Sequence, residues 1–484
     1  MRMTCGIAAS ILFFASTSFA AELPGVVEPS GPPPKPNQTE LRGPKPPEPA
    51  KPPEAVKPPE PAKPPETAKP PETPKPPEPA KPPEASKPRL NLPPKPGPEG
   101  LRQKALDLVG DPKSEPKDRY EACTVLTLFD DNEVVTALRK TARWDTDAEV
   151  RIAAIFALGQ MARREAAPDL VAILSEKNPR LRVMAAAQLG FIADPSAAKA
   201  LVGALKDPIF EVRAAAATSL GRMRAEEGFE PILGLLSDVQ PQVRAEAAAA
   251  VGRYRNPKAI EPLLGLLKDP DPRPRVQALR GLMRQPSESI VKAAVALRKD
   301  PDEGVRLAVV ELLGVAQAWK GEGLETLLAG LGDSDAGVRA SAILALAGSG
   351  NAEAGRRIAK ILSPRIESLP GVRVAAAATL AQFRPLPEAG EALAAALGDY
   401  DERVRSVATS SFGWFPESIA IPAMQKSLDD PSTSVRSGAA SFLSRFKSRK
   451  DIQEALVAFE KRETRIRAAS SGRPVRTFLD DSTF

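Results

Sequence analysis

Residues 207–221 read DPIFEVRAAAATSLG, and this stretch decides the fold because its register returns along most of the 484-residue chain. Arg213 stands six residues after Asp207, and Leu220-Gly221 close the stretch eight and nine residues after Val212. The same frame recurs at Val150-Arg151, Leu181-Arg182, Val243-Arg244, Pro274-Arg275, Val305-Arg306, Val338-Arg339, Val372-Arg373, Val404-Arg405 and Val435-Arg436, most steps being 31 residues. A fixed period of this length belongs to an array of supersecondary units, each of which buries its apolar face only against its neighbours.

Each unit reads as two helices. The first is a segment such as KALVGALKD (199–207) or EPLLGLLKD (261–269), with apolar residues at helical spacing. A turn follows at an Asp, often Asp-Pro as at Asp207-Pro208, Asp269-Pro270, Asp300-Pro301 and Asp430-Pro431. Asp caps helix starts and Pro suits a first turn, so the second helix is expected to begin there. It is expected to stop at the Leu-Gly pair, Gly being the common residue at a helix end.

The spacing of Asp, Val-Arg, Ala and Leu resembles the HEAT repeat, in the short bacterial form also found in phycobilisome-lyase-like proteins, over about residues 99–470. The resemblance implies an all-α, right-handed solenoid of helix pairs, the first helix of each on the convex face and the second on the concave face. The ends depart from the frame. Asp118-Arg119 has Lys113 where the Asp belongs, and Ile466-Arg467 has Lys461 there, so both read as degenerate capping units. The steps to Val338 and Val372 are 33 and 34 residues, which places longer turns near Gly321–Gly323 and Pro364–Pro370.

Four columns stand out in this frame. Asp145, Asp207, Asp238, Asp269, Asp300, Asp333, Asp399 and Asp430, with Glu176 and Glu367, each precede an arginine by six residues: Arg151, Arg213, Arg244, Arg275, Arg306, Arg339, Arg405 and Arg436, with Arg182 and Arg373. They are expected to form a structural ladder, each carboxylate meeting its own or the next repeat's guanidinium in exposed pairs that set register more than stability. A second column, Ala154, Ala185, Ala216, Ala247, Ala278, Val309, Ala342, Ala376, Ala408 and Ala439, is core, small enough for close helix packing. Positions two and six after the Val point away from the core on a helix wheel and carry Ile152, Val183, Val276, Leu307 and Val374, then Phe156 and Leu344. These are the candidate partner-binding residues, with burial against the adjoining repeat as the alternative. Arg222, Arg253 and Arg284 form a candidate basic stripe, or else offset helix dipoles.

Outside the array, residues 1–20 read as a secretory signal peptide cut before Ala21: Arg2 at the start, an apolar run from Ile7, and Ser18-Phe19-Ala20 at the end. Residues 21–98 are a proline-rich spacer containing seven hexads that begin KPPE, from Lys45 to Lys81. Such a segment cannot build helix or sheet ladders, and polyproline II is its accessible ordered form, about 3.1 Å per residue. Lys and Glu alternate on one edge, so the strut is locally neutral, and it is a candidate ligand for proline-recognising modules or cell wall. Residues 471–484 are a polar tail.

The chemistry excluded is as telling. With no histidine in the chain there is no Ser-His-Asp or Cys-His arrangement and no imidazole metal ligand. Of two cysteines, Cys5 falls in the signal segment and Cys123 is left alone, which rules out a thiol metal cluster and an internal disulfide in the mature chain. No cofactor or metal is expected, and the net charge of +6 is modest, with ten basic against six acidic residues in 445–484 and no interleaved aromatics, so no nucleic-acid partner is expected. The expected role is non-enzymatic: a periplasmic or extracellular scaffold, with no membrane span in the mature chain, engaging a protein partner. A structural or wall-associated spacer is the alternative, and a bilin-lyase-like enzyme, implied by the resemblance alone, is the minor one.

Overall fold

The structure is a computed structural model that describes residues 98–471, so the expected signal peptide, the KPPE hexads and the polar tail beyond 471 lie outside the described residues. Among the described residues every regular element is helical. The first helices are Pro98–Gly110, Asn132–Trp144, Ala167–Ile173, Ala198–Ala204, Glu226–Gly234, Ile260–Leu266, Glu288–Ala296, Gly321–Gly330, Ala352–Ile361, Pro387–Ala396 and Glu417–Ser427. Their partners are Pro116–Leu126, Ala148–Gln160, Pro179–Ile192, Phe210–Met223, Pro241–Tyr254, Pro272–Leu282, Glu303–Val315, Ala336–Ala345, Pro370–Leu380, Glu402–Ser411 and Thr433–Leu443. A single long helix, Lys450–Ser471, closes the stack in place of a last pair. Each helix packs on its pair-mate, and each second helix packs on its equivalents in the flanking repeats, giving two layers with one continuous core between them.

The core is built as the frame requires. Val212, Ala216, Ala217 and Leu220 of one second helix are fully buried, and Leu201 of its pair-mate meets them. Every residue of the small column, from Ala154 to Ala439, is at most 1% exposed. A larger side chain at these positions has no space, which is why the column stays small from one end of the array to the other.

Three expectations about the helix pairs are corrected, two of them at the second helix. It does not begin at the Asp. The ladder residue Asp207 instead turns the chain, its Oδ1 accepting from the Ile209 amide at 2.9 Å, and the helix opens at Phe210. Where a side chain caps the start it belongs to a residue two further on, such as Asp147, Asp271, Asp302 or Asp401. The helix does not stop at the Gly either. It runs on through Gly221 to Met223 and ends at Arg224 in the left-handed conformation, φ +52°, as its equivalents end at Ala193 and Arg255. Finally, Gly321 opens a helix rather than a turn, the extra residues lying just before it, where the Trp319 indole donates to the Ala345 carbonyl at 2.9 Å.

Glycine explains how the second layer packs. An added Cβ at Gly221 would lie 2.6 Å from the Ala250 Cα, and one at Gly252 would lie 2.5 Å from the Gly281 Cα. Glycines of the first layer, Gly203, Gly234 and Gly265, face open space. At these positions the second helices of neighbouring repeats therefore meet backbone against backbone, which Gly203, Gly234 and Gly265 of the first layer do not.

Candidate functional site

The ladder is built between repeats. Arg213 donates from Nε and Nη2 to both oxygens of Asp238 at 2.8 Å, and from Nη1 to the carbonyl of Asp207 at 2.9 Å. The arginine thus reads its own repeat's aspartate through the backbone and the next repeat's through the carboxylate. The same bidentate geometry joins Arg182 to Asp207, Arg244 to Asp269, Arg306 to Asp333, Arg339 to Glu367, Arg373 to Asp399 and Arg405 to Asp430. Arg275 reaches Asp300 through Nη2 alone, and Arg151 reaches Glu176 in the same way while its Nε takes the Ala142 carbonyl.

Both ends hold rungs that the frame did not reveal. Arg119, in the unit read as degenerate, pairs with Asp145 through two bonds of 2.8 Å. Arg436 pairs with Glu463, an acid inside the final helix rather than at a turn, so Lys461 was the wrong position to judge that end by. Nor are the rungs exposed. All eleven arginines keep 17% or less of their side chains accessible, and every acid except Glu176 keeps 14% or less. A charge pair buried this well is costly to break, because the surviving partner is left without water or counter-charge.

Electrostatics follow the geometry. Burial pushes the Asp207 carboxyl up, but hydrogen bonds from Arg182 and the Ile209 amide, with the positive field of Arg182 and Arg213, outweigh it and hold the group below the usual aspartate range. Asp145, Asp238, Asp269 and Glu367 are held down against burial in the same way, and at Asp333 the Arg306 hydrogen bond is itself the largest influence. A carboxyl with a lowered folded pKa contributes stability that is complete above its unfolded value, about 4, and lost as pH falls through the folded value. The expected result is a thermal midpoint that is flat from pH 7 to 5 and drops steeply below pH 4, by circular dichroism. A midpoint that starts to fall near pH 6 would show that these carboxylates do not govern acid stability.

The apolar candidates separate into two groups. Ile152, Val276, Leu307 and Val374, at position two, are half-buried and pack against the core, so they do not point away from it; Val183 is also half-buried. Phe156 and Leu344, at position six, are 45% and 39% exposed. No member of the position-six column is fully buried, and its chemistry is mixed: Ala187, Ala249 and Ala378 are interspersed with Phe156, Thr218, Arg280, Glu311, Leu344, Ser410 and Ser441. Missing from the sequence reading was Phe191, 52% exposed at the end of helix Pro179–Ile192, with the Arg222 guanidinium stacked 4.0 Å from its ring centre. The signal was present, since Phe191 stands ten after Leu181 as Arg222 stands ten after Val212. Phe191, Phe210 and Arg222 line a groove with Thr218, Glu211 and Glu246 across three successive second helices.

Arg222, Arg253 and Arg284 lie on successive second helices or just past their ends, joined by Arg224 and Arg255 at the left-handed positions. None of these five side chains makes a hydrogen bond or ion pair among the described residues. The helix end they border is satisfied by other groups: the Leu220 carbonyl accepts from the Ala225 amide and from the Tyr254 hydroxyl at 3.1 Å. Partial burial lowers the Arg222 and Arg284 pKa values, and repulsion from neighbouring arginines, Arg253 for the first and Arg255, Arg253 and Arg224 for the second, adds to it. Among the described residues no group of three or more His, Cys, Asp or Glu side chains is placed to hold a metal, and no helix is long and apolar enough to cross a membrane.

Comparison with known proteins agrees with this geometry. No curated protein matches the chain. Among solved structures, yeast importin-β (Kap95p) superposes with a TM-score of 0.56 at 13% identity, over 79% of this chain and 61% of that one. The YibA protein of Escherichia coli matches at 21% identity and TM-score 0.41, over 54% of this chain and 95% of its own. The CpcE–CpcF complex of phycocyanin lyase from Nostoc sp. PCC7120 matches at 24% identity and TM-score 0.33, over 51% of this chain and 98% of its own. The family model for HEAT repeats matches seven times, at residues 103–175, 141–210, 167–238, 204–282, 290–365, 324–413 and 390–471. With the repeated helix pairs, the buried inter-repeat ladder and these matches over most of its length, the chain belongs to the HEAT-repeat family.

Proposed function

We propose that this protein is an exported scaffold whose repeat array binds a protein partner in the cell envelope, with the proline-rich segment as its spacer. The observation that carries the binding role is the contrast between columns. Core and ladder positions repeat nearly unchanged, whereas the position-six column of the second layer mixes small residues such as Ala187, Ala249 and Ala378 with Phe156, Thr218, Arg280, Glu311, Leu344 and Ser410. Within it Phe156 and Leu344 keep large apolar side chains 45% and 39% exposed, which stacking leaves uncovered and a partner surface would bury. Export and the spacer role rest on the sequence: the signal-like residues 1–20 and the seven KPPE hexads. HEAT solenoids typically bind proteins, which agrees with this reading.

The test is site-specific photo-crosslinking in the full chain, with the reactive residue at position 156 or 344 on the second layer, or at position 230 on the first. Adducts with one identified envelope protein are expected from positions 156 and 344 and not from 230, and Phe156→Glu should reduce them at least fivefold. Adducts confined to position 230 would place binding on the other layer, and a chain retained in the cytoplasm after expression in its source organism would end the export reading.

A further inference from the structure

We infer that the arginine ridge and the adjoining Phe191–Phe210 groove form a docking site for an extended acidic peptide segment carrying one apolar anchor. The inference rests on the scaffold reading above and names its partner's chemistry. Three observations carry it. Five arginines on neighbouring helix ends, Arg222, Arg224, Arg253, Arg255 and Arg284, have no carboxylate or hydrogen-bond partner, in a molecule where the ladder arginines are all paired. No arginine side chain caps the helix end at Leu220, whose carbonyl is already taken by the Ala225 amide and the Tyr254 hydroxyl, so the guanidinium donors stay open. Arg224 and Arg255 add two further guanidinium groups to the ridge, from the left-handed helix-end position that Ala193 fills in the preceding repeat.

Spacing defines the ligand. Packed helices lie about 8–10 Å apart, and an extended or polyproline II chain advances about 3.1–3.4 Å per residue, so successive helices are reached by every third residue. Arg222, Arg253 and Arg284 would therefore meet carboxylates at i, i+3 and i+6. Phe191 holds the same column position as Arg222 one helix earlier and is half exposed, so its ring would meet an apolar side chain three residues before the first acid. Guanidinium groups suit this ligand because they hold carboxylates bidentately. A phosphodiester chain has the same affinity for arginine, but its unbroken charge would run against Glu211 and Glu246 on the groove wall, whereas a peptide places an uncharged residue there.

The probe is a pair of fluorescein-labelled dodecapeptides carrying Phe-x-x-Glu-x-x-Glu-x-x-Glu with Pro and Ala fillers, one in each chain direction, titrated against the full chain by fluorescence anisotropy. One of the two is expected to bind, to weaken at least tenfold when its Glu residues become Gln, and to weaken at least tenfold on Arg253→Glu, with the circular dichroism spectrum unchanged. Affinity should also fall as NaCl rises from 50 to 300 mM. No binding by either peptide, no response to Arg253→Glu, or tighter binding of a twelve-residue oligothymidylate would each overturn the inference, the last in favour of a nucleic-acid ligand. Crosslinks from position 156 that survive Arg253→Glu, with peptide binding absent, would leave the scaffold reading standing and remove this site alone.

Discussion

Asp399→Ala should destabilise the C-terminal half of the array by about 3–5 kcal/mol, the cost of stranding a buried charge, and more than Arg373→Met at the other end of the same rung. Arg373 and Asp399 are the most completely buried pair in the ladder, with no accessible side-chain surface on either partner. The guanidinium donates to both Asp399 oxygens at 2.8 Å and to the carbonyls of Glu367 and Ser368 at 2.9 and 3.0 Å, and it lies 4.6 Å from the centre of the Tyr400 ring. Removal of the aspartate leaves a cation that cannot shed its proton, since arginine stays charged at any pH a folded protein meets. Removal of the arginine leaves a carboxylate that can take up a proton and become neutral. The two single variants should therefore be unequal, and the Arg373→Met/Asp399→Ala double variant should lose less than the sum of both. The exposed pair Arg180–Glu149 supplies the comparison: Glu149→Ala should cost only about 0–1 kcal/mol. Urea unfolding of the four chains, with hydrogen exchange to locate the loss, measures this; an Asp399→Ala effect no larger than that of Glu149→Ala would show that the rungs set register alone.

This asymmetry marks where the sequence could be read and where it could not. Periodicity carried the architecture, because a 31-residue step with Val, Ala and Leu in fixed places leaves one way to bury the apolar faces. Burial of the ladder was not legible: six residues separate Asp207 from Arg213 along the chain, but the carboxylate partner of Arg213 is Asp238, 25 residues on, and nothing local shows that the flanking repeats close over it. Glu463 escaped for the same reason, being an acceptor from within a helix instead of from a turn. At the surface, the helix wheel treated positions two and six alike as outward, yet neighbouring repeats cover Leu307 and leave Leu344 open. A wheel describes one helix, and in a solenoid the decision belongs to the adjacent one.

Glycine was the residue most misread, and substituting it gives a test whose sign alone is diagnostic. Gly252 lies in the last turn of helix Pro241–Tyr254 with helical residues on both sides, where alanine is normally preferred by up to about 1 kcal/mol. If glycine served there only as a weak helix residue, Gly252→Ala would stabilise the protein. The Cβ it adds would instead stand 2.5 Å from the Gly281 Cα on the facing helix, a backbone atom that cannot rotate away. Either helix must retreat, opening the contact that continues through Gly221 and Ala250, so the expected result is a loss of about 1–3 kcal/mol, with Gly252→Val costing more. Gly203→Ala and Gly265→Ala in the first layer, where an added methyl meets nothing within 4 Å, should be neutral or stabilising by up to about 1 kcal/mol. Thermal and urea midpoints of the four variants decide the matter, and stabilisation by Gly252→Ala would remove the close-packed second layer. The consequence reaches the binding surface: of the two helices forced apart, one carries Arg253 and the other leads into Arg284, so Gly252→Ala should also weaken the acidic peptide even under conditions where the chain remains folded, because the spacing its carboxylates must match has changed.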